Sequence, residues 1–187
     1  MFIENEFYKV SISRDETFTL NSTDNKPYDC IFNPSGMRRS DWFKTLSINI
    51  NSDDGQKNIA LLGSPFGSDK DIAILEGSDL FVLMNTTLNC IDCQNLSVKF
   101  CKTIADFGEY FSIYKYDNGF VVYGELDIIK LSSVFDIEWS FSGADIFVTH
   151  DGTHAFSIEN DIIHLLDWNG THYFVDRFGK EITNCPL

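Results

Sequence analysis

The side chains best suited to chemistry are a pair of cysteines and a pair of histidines. Cys90 and Cys93 form a Cys-Xaa-Xaa-Cys pair, and His150 and His154 are four residues apart. A redox pair of this kind is expected to open a helix, whereas TLNCIDCQNLSVKF predicts strand, turn and strand. A zinc site would have to add Cys101 or the histidines, across a gap longer than a compact zinc finger uses. We therefore predict ordinary buried or half-buried thiols, with zinc as the alternative, and no cofactor.

The acidic residues near the C-terminus form the second group. Between Leu131 and Asp176 the chain has no Lys or Arg, so its carboxylates create an uncompensated negative field. We predict that the exposed members bind a protein partner, with one aromatic residue as anchor. The predicted binding residues are Asp136, Glu138, Asp145, Asp151, Glu159, Asp161 and Tyr173.

The four histidines, His150, His154, His164 and His172, fall in the same acidic stretch. Nearby carboxylates favour the charged form of an imidazole, so we predict raised histidine pKa values. Trp139 and Trp168 are predicted to be buried indoles that hold neighbouring strands together. The alternative is that they act as binding hot spots.

The net charge restricts the class of partner. The 187 residues include 28 Asp and Glu against 14 Lys and Arg, which gives a formal charge of −14. Such a surface repels phosphate backbones and anionic lipid and accelerates encounter with a cationic protein. We therefore expect a positively charged protein partner, and neither nucleic acid nor membrane.

Enzyme motifs are missing from the sequence. It has no Gly-Xaa-Ser-Xaa-Gly elbow, no His-Glu-Xaa-Xaa-His pair, no Walker loop and no dinucleotide fingerprint. A glycosidase needs two carboxyl groups about 5–9.5 Å apart across a cleft, which a sequence does not reveal. We predict that the protein is not an enzyme, and keep a metal- or carbohydrate-active enzyme as an alternative.

Compartment is inferred from cysteines and hydropathy. The N-terminus MFIENEFYKV lacks a basic start followed by an apolar run, and no segment approaches the roughly 18 apolar residues of a membrane span. Five cysteines, an odd number, fit reduced thiols better than a disulfide framework. We expect a cytoplasmic protein.

Turn motifs between short apolar runs predict strands. Asn118-Gly119, Asp151-Gly152 and Asn169-Gly170 each predict a β-hairpin, because these dipeptides reach positive φ at low cost. LSININSDDGQKNIALLG predicts a further hairpin, with its turn at 53–55. Only two segments suggest short helices: a turn at 41–46 capped by Ser40, and the stretch 103–110.

The chain beyond residue 70 looks repetitive. Residues 71–101, 109–141 and 144–176 can be laid over one another as copies of a four-stranded pattern. A period of about 40 residues with several strands is typical of propeller blades. We predict one all-β, antiparallel domain over residues 1–187, with N-terminal strands (1–70) packed on the repeated hairpins (71–187). A partial β-propeller and a β-sandwich both fit this pattern.

The C-terminal part carries a resemblance. Residues 139–143 (Trp-Ser-Phe-Ser-Gly) with Asp145, and Asp167-Trp168 with Tyr173 and Gly179, resemble the pattern of small cytoplasmic bacterial proteins of partial-propeller type. Some of these are similar to immunity proteins that neutralise polymorphic or contact-dependent growth inhibition toxins. The resemblance covers roughly the last 70 residues.

Besides the enzyme alternative, two binding functions remain open at this point. The first is an immunity protein that occludes the active site of a basic nuclease toxin, its carboxylates standing where the phosphates of the substrate would lie. The alternative is a generic protein-interaction scaffold of propeller type.

Overall fold

The computed structural model describes residues 1–38, 43–64 and 70–182. The chain divides into two compact units, Met1–Asp106 and Phe107–Leu187. The first unit contains β1 (Phe2–Glu4), β2 (Lys9–Arg14), β3 (Cys30–Phe32), β4 (Lys44–Ser52), β5 (Gly55–Gly63), β6 (Ala73–Glu76), β7 (Asp79–Met84), β8 (Thr87–Asp92) and β9 (Ser97–Thr103). The second contains β10 (Tyr110–Tyr116), β11 (Gly119–Gly124), β12 (Asp127–Leu131), β13 (Ile137–Ser142), β14 (Phe156–Glu159), β15 (Ile162–Leu166) and β16 (His172–Val175).

The first unit is built from two sheets. Sheet 1 has the strand order β1-β2-β4-β5-β3, and sheet 2 has the order β6-β7-β8-β9. Alternation in β4 explains how they meet, since Leu46, Ile48 and Ile50 point to one face and are at most 2 % exposed. They share a core with Leu80 and Val82 of sheet 2. All pairings in this unit are antiparallel except that of β3 with β5.

The second unit repeats this plan with different residues. Sheet 3 has the order β10-β11-β12-β13, and sheet 4 has the order β14-β15-β16. Val121 and Ile128 of sheet 3 share a core with Ile163, Leu165 and Val175 of sheet 4, each fully buried. Sheets 2, 3 and 4 correspond to the three predicted repeats, and the prediction of an antiparallel all-β fold is confirmed. That residues 1–187 form one domain stays a prediction.

Two of the three predicted Xaa-Gly hairpins form. Asp117 and Asn118 make the turn between β10 and β11, with φ of 49° at Asp117. Gly119 already belongs to β11, where a Cβ atom would lie 2.1 Å from the carbonyl oxygen of Leu131. Asn169-Gly170 lies in the connection between β15 and β16. The 53–55 hairpin between β4 and β5 is also confirmed.

The hairpin predicted at Asp151-Gly152 is wrong. Residues 143–155 form a loop, so no strand precedes this turn and sheet 4 has three strands where sheets 2 and 3 have four. The first hairpin of sheet 4 turns at Asn160 and Asp161 instead, with φ of 50° and 62°. These two residues take positive φ without any glycine, which the Xaa-Gly rule misses.

No helix occurs in the described part of the chain. The predicted helical turn at 41–46 conflicts with β4, which includes Lys44–Leu46, while Ser40 and Asp41 lie outside the described residues. Residues 103–110 form strand ends and a bend. Within the described ranges there is accordingly no helix that is long and apolar enough to cross a membrane.

Sheet 3 contains an ion pair between a buried lysine and a partly exposed glutamate. The Lys130 side chain is completely buried, and its Nζ is 3.1 Å from Oε2 of Glu138, which is 40 % exposed. Lys130 Nζ also donates to the carbonyl oxygen of Leu131 at 2.9 Å. A Cβ at Gly119 would lie 2.8 Å from Nζ, so the absence of a side chain there makes room for the ammonium. A buried cation without its counter-ion is strongly destabilising.

Glu138→Gln removes that counter-ion and should lower the free energy of unfolding by about 1–3 kcal/mol, less than for a fully buried pair because Glu138 is partly in water. The matched control is Glu159→Gln on an exposed acid, with an expected change within about 0.5 kcal/mol. Urea unfolding measures both. Equal effects of the two substitutions would contradict a structural role for Glu138.

Candidate functional site

The second unit carries most of the net negative charge of the chain. Residues 107–187 contain thirteen Asp and Glu against four Lys and Arg, a formal charge of −9. All four histidines also belong to this unit. The position of these charges therefore decides where a cationic partner would be attracted.

Strand direction divides the second unit into two ends. The turn end holds residues 117–118, 132–136, 159–161 and 176–181, and the loop end holds 124–127, 143–155 and 167–172. A hydrogen bond from the Tyr116 hydroxyl to the Asp161 carbonyl joins the two sheets at the turn end. At the loop end, the Phe147 amide donates to the Glu125 carbonyl at 2.6 Å. Strands of four to seven residues separate the ends by about 15–20 Å.

The structure does not bring the predicted acids together. Four of them, Asp136, Glu138, Glu159 and Asp161, lie at or beside the turn end, and Glu138 already pairs with Lys130. The turn end and the adjoining strand ends also hold all four cations of the unit: Lys115, Lys130, Arg177 and Lys180. Its negative charge is therefore partly compensated.

The loop end contains Asp145 and Asp151 and no Lys or Arg. Glu125, Asp127 and Asp167 add three further carboxyl groups to it. Asp151 is exposed, and Asp145 is half-buried. The loop end is thus the uncompensated anionic surface of the second unit, formed by two of the six acids that the sequence indicated.

A buried carboxylate fixes the shape of the loop end. Asp167 is 1 % exposed and accepts hydrogen bonds from the amides of Asn169 at 3.0 Å and Thr171 at 2.8 Å. The Tyr173 hydroxyl donates to it at 2.8 Å and accepts the Ala144 amide at 2.9 Å. Burial by itself would raise the pKa of Asp167, but the hydrogen bonds from Thr171, Tyr173 and Asn169 outweigh it and lower that pKa.

The acidic loop 143–155 is therefore tied to the 167–171 turn. The Trp168 amide donates to the Ile146 carbonyl at 2.8 Å, and Asn169 Nδ2 donates to Asp145 Oδ2 at 2.6 Å. Asp145 also accepts the Ile146 amide at 2.8 Å, so both of its oxygens are oriented. A carboxylate held in one position loses less conformational entropy when it binds a partner.

Asp151 is oriented by its own loop. Its carboxylate accepts the Thr153 amide at 3.0 Å and the Thr153 hydroxyl at 2.8 Å. The hydrogen bond from the Thr153 amide is the largest of the effects that lower the pKa of Asp151. This carboxylate consequently stays charged at physiological pH and faces solvent.

Tyr173 does not lie at the surface. It is 7 % exposed, and its hydroxyl is engaged with Asp167 and Ala144, so it supports the loop end from within. Trp168 has the position that we expected of Tyr173: it is 38 % exposed, and its ring centroid is 3.6 Å from that of His150. The prediction that Trp168 is buried is therefore wrong. Trp139 is half-buried, and its Nε1 donates to the Arg177 carbonyl at 3.0 Å.

The histidine prediction fails at His164. The pKa of His164 is lowered, first by burial and then by the neighbouring His172, although Glu159 acts in the opposite direction. At the loop end, His154 Nδ1 donates to the Phe156 carbonyl at 2.6 Å, which assigns the proton of the neutral ring to Nδ1. His150 and His154 are both exposed there.

The thiols of the Cys-Xaa-Xaa-Cys pair are buried. Cys90 is 1 % exposed and Cys93 is 5 % exposed. Burial raises the pKa of each to about 12, so neither is a thiolate at neutral pH. In the residues that the structure describes, no three or more His, Cys, Asp or Glu side chains are grouped closely enough to hold a metal ion.

Comparisons with known proteins show the fold alone. No family model matches the chain, and no curated protein matches it. The solved structure of the dihydro-heme d1 dehydrogenase NirN in complex with DHE is similar, with a TM-score of 0.52 and 13% identity over 78% of this chain and 34% of that chain. BamB from Moraxella catarrhalis has a TM-score of 0.46 and 9% identity, over 81% of this chain and 49% of that chain. The N-terminal domain of Nup159 has a TM-score of 0.42 and 11% identity, over 95% of this chain and 50% of that chain.

NirN, the neighbour with a TM-score of 0.52, is a β-propeller-like protein, so the predicted propeller-like fold is supported. At such identities the similarity does not extend to activity or partners. The chain spans between a third and a half of the length of these three proteins.

Proposed function

We propose that this protein is an interaction module that binds a positively charged protein through the loop end of its second unit. One observation carries the proposal. The loop end groups oriented carboxylates with an exposed indole and contains no Lys or Arg, whereas all four cations of the unit lie at or beside the opposite end. Such a surface attracts a cationic partner and repels nucleic acid.

The contacts of each residue at the loop end indicate its role in binding. Asp145 and Asp151 supply charge at fixed positions, which accelerates the encounter with a cation. Trp168 supplies apolar contact area and a ring face on which an arginine side chain stacks favourably. Asp167 and Tyr173 hold the loops in place and do not touch the partner.

A finer proposal is that the protein is an immunity protein. A nuclease holds the phosphates of its substrate with Lys, Arg or His, so carboxylates offered by an inhibitor can occupy the same cationic cleft. The inhibitor performs no chemistry; it occludes the active site. The anionic loop end and the resemblance of the last 70 residues support this form of the proposal.

The cation-binding proposal is tested with a peptide of ten arginines and isothermal titration calorimetry at low salt. Asp145→Asn plus Asp151→Asn keeps the side-chain shapes and should weaken binding about three- to tenfold. The matched control, Asp24→Asn plus Asp53→Asn, makes the same charge change on exposed acids of the first unit. Its expected effect is below about twofold. An equal loss of affinity for the peptide in the two double variants would contradict the proposal.

The immunity proposal is tested by nuclease inhibition. Basic RNase and DNase domains of polymorphic toxins are assayed on fluorescent substrates with the protein added in equimolar amount. We expect stoichiometric inhibition of at least one domain, and weaker inhibition by the Asp145→Asn plus Asp151→Asn variant, because a rim charge changes the association rate. Full activity of every domain, or equal inhibition by the variant, would contradict it.

A further inference from the structure

The outward face of sheet 4 is defined by strand register. Ser157 of β14 pairs with His164 of β15, which pairs with Phe174 of β16, so these three residues form one row. Glu159 pairs with Ile162 in the neighbouring row, and His172, two residues before Phe174, is on the same side of β16. Leu166, which pairs with His172, is on the same side of the sheet but packs against the core cluster. We call the other six residues of this side the outward face; they are Ser157, Glu159, Ile162, His164, His172 and Phe174.

The other face of the same strands belongs to the core. Phe156, Ile163, Leu165, Tyr173 and Val175 are each at most 7 % exposed and pack in the cluster shared with sheet 3. The six residues of the outward face, by contrast, are half-buried or exposed in the whole chain.

The composition of the outward face is unusual for a solvent-facing sheet. Antiparallel sheets normally place polar residues on the side that meets water. Strand β9 follows that rule, since its exposed residues are Ser97, Lys99, Cys101 and Thr103. The outward face of sheet 4 instead combines Ile162, Phe174 and two histidines with a single charged group, Glu159.

Its three rings form an ordered strip in which all ring planes are nearly parallel. His164 Nε2 and His172 Nδ1 are 2.8 Å apart, while the ring centroids are 5.1 Å apart and the planes differ by 10°. This combination places the two imidazoles side by side in one plane, joined by a hydrogen bond, rather than face to face. The Phe174 ring is parallel to His164 within 7°, at a centroid distance of 4.8 Å. The facing nitrogens satisfy one another, and each imidazole keeps one further ring nitrogen. The strip therefore combines apolar ring faces with polar edges.

This strip adjoins the loop end. His172 is the first residue of β16 and directly follows the 167–171 turn that Asp167 organises. An apolar centre beside a charged rim is the usual anatomy of a protein–protein interface. Ile162 and Phe174, both half-buried, are the apolar residues that such a centre would use here.

The net negative charge of the chain indicates which class of partner can bind the outward face. A second copy of this chain would bring another −14 charge, and the second unit alone carries −9, so self-association is opposed by like-charge repulsion. Nucleic acid and anionic lipid are disfavoured for the same reason. A partner with an apolar patch flanked by Arg or Lys matches both the strip and the loop end.

We infer that the outward face of sheet 4 is the apolar centre of the partner-binding surface, with the loop end as its acidic rim. This inference rests on the proposed function and names the partner's contact surface: aliphatic side chains bordered by arginine or lysine. The centre then sets the dissociation rate, and the rim sets the association rate and its salt dependence.

Two twelve-residue peptides of equal charge serve as probes, one alternating leucine with arginine and one alternating serine with arginine. The wild-type protein should bind the leucine peptide about tenfold more tightly, because only that peptide buries apolar area on the strip. Ile162→Thr plus Phe174→Thr should reduce this preference to below about twofold. The matched control, Val134→Thr plus Ile137→Thr, changes two exposed apolar residues of the turn end and should leave it intact.

The outcomes distinguish a failure of the inference about the outward face from a failure of the proposed function. Equal affinity for both peptides, or the same loss in the control variant, overturns the role of the outward face. Binding of the serine peptide that is insensitive to Asp145→Asn plus Asp151→Asn overturns the proposed function itself. If Ile162→Thr plus Phe174→Thr does not fold, the single change Ile162→Thr is used, with Val134→Thr as its control.

Sedimentation equilibrium of the free protein tests whether a second copy of the chain binds the outward face instead. We expect a monomer for the wild type and for the Ile162→Thr plus Phe174→Thr variant. A wild-type dimer that this variant dissociates would assign the outward face to a second copy of the chain and overturn the inference.

Discussion

A buried carboxylate that forms no ion pair with the described Lys and Arg residues organises the loop end of the second unit. Asp167 is held by two backbone amides and the Tyr173 hydroxyl, and through that hydroxyl it positions Ala144 at the start of the acidic loop. Removing a carboxylate from water is costly unless hydrogen bonds replace its hydration. All three donors come from residues 169–173, so the ionised state of Asp167 and the shape of the 167–171 turn depend on each other. The acidic loop follows this turn, because the Ala144 amide donates to Tyr173 and the Trp168 amide donates to the Ile146 carbonyl.

The same unit contains a second buried charge, Lys130, which is stabilised in a different way. Lys130 is neutralised by Glu138 across neighbouring strands, whereas Asp167 is stabilised by hydrogen bonds from Asn169, Thr171 and Tyr173. The consequence is an asymmetric surface. Lys115, Lys130, Arg177 and Lys180 lie at or beside the turn end, which leaves the carboxylates of the loop end without compensation. The second unit therefore presents most of its negative field at one of its two ends.

The sequence was sufficient for the fold class because period-two alternation and positive-φ turns are local properties. Leu46, Ile48 and Ile50 identify β4, and Asn118-Gly119 identifies a hairpin. The site was only half predictable. An acidic stretch free of Lys and Arg is visible in the sequence. How its carboxylates divide between the turn end and the loop end depends on strand direction, which places Glu159 at the turn end and Asp151 at the loop end. Likewise, Tyr173 and Trp168 are both aromatic, and only the partner Asp167 explains why the tyrosine is buried while the indole is exposed.

The central claim is that one end of the second unit receives cationic protein surfaces. Amide-resolved nuclear magnetic resonance of the isotope-labelled chain, titrated with the ten-arginine peptide at low and at high salt, tests it most directly. The account predicts chemical-shift changes concentrated in residues 143–155 and 167–172, including the Trp168 indole, that diminish as salt rises. Changes centred on the turn end or on residues 1–106, or spread evenly over the acidic residues of both units, would contradict it.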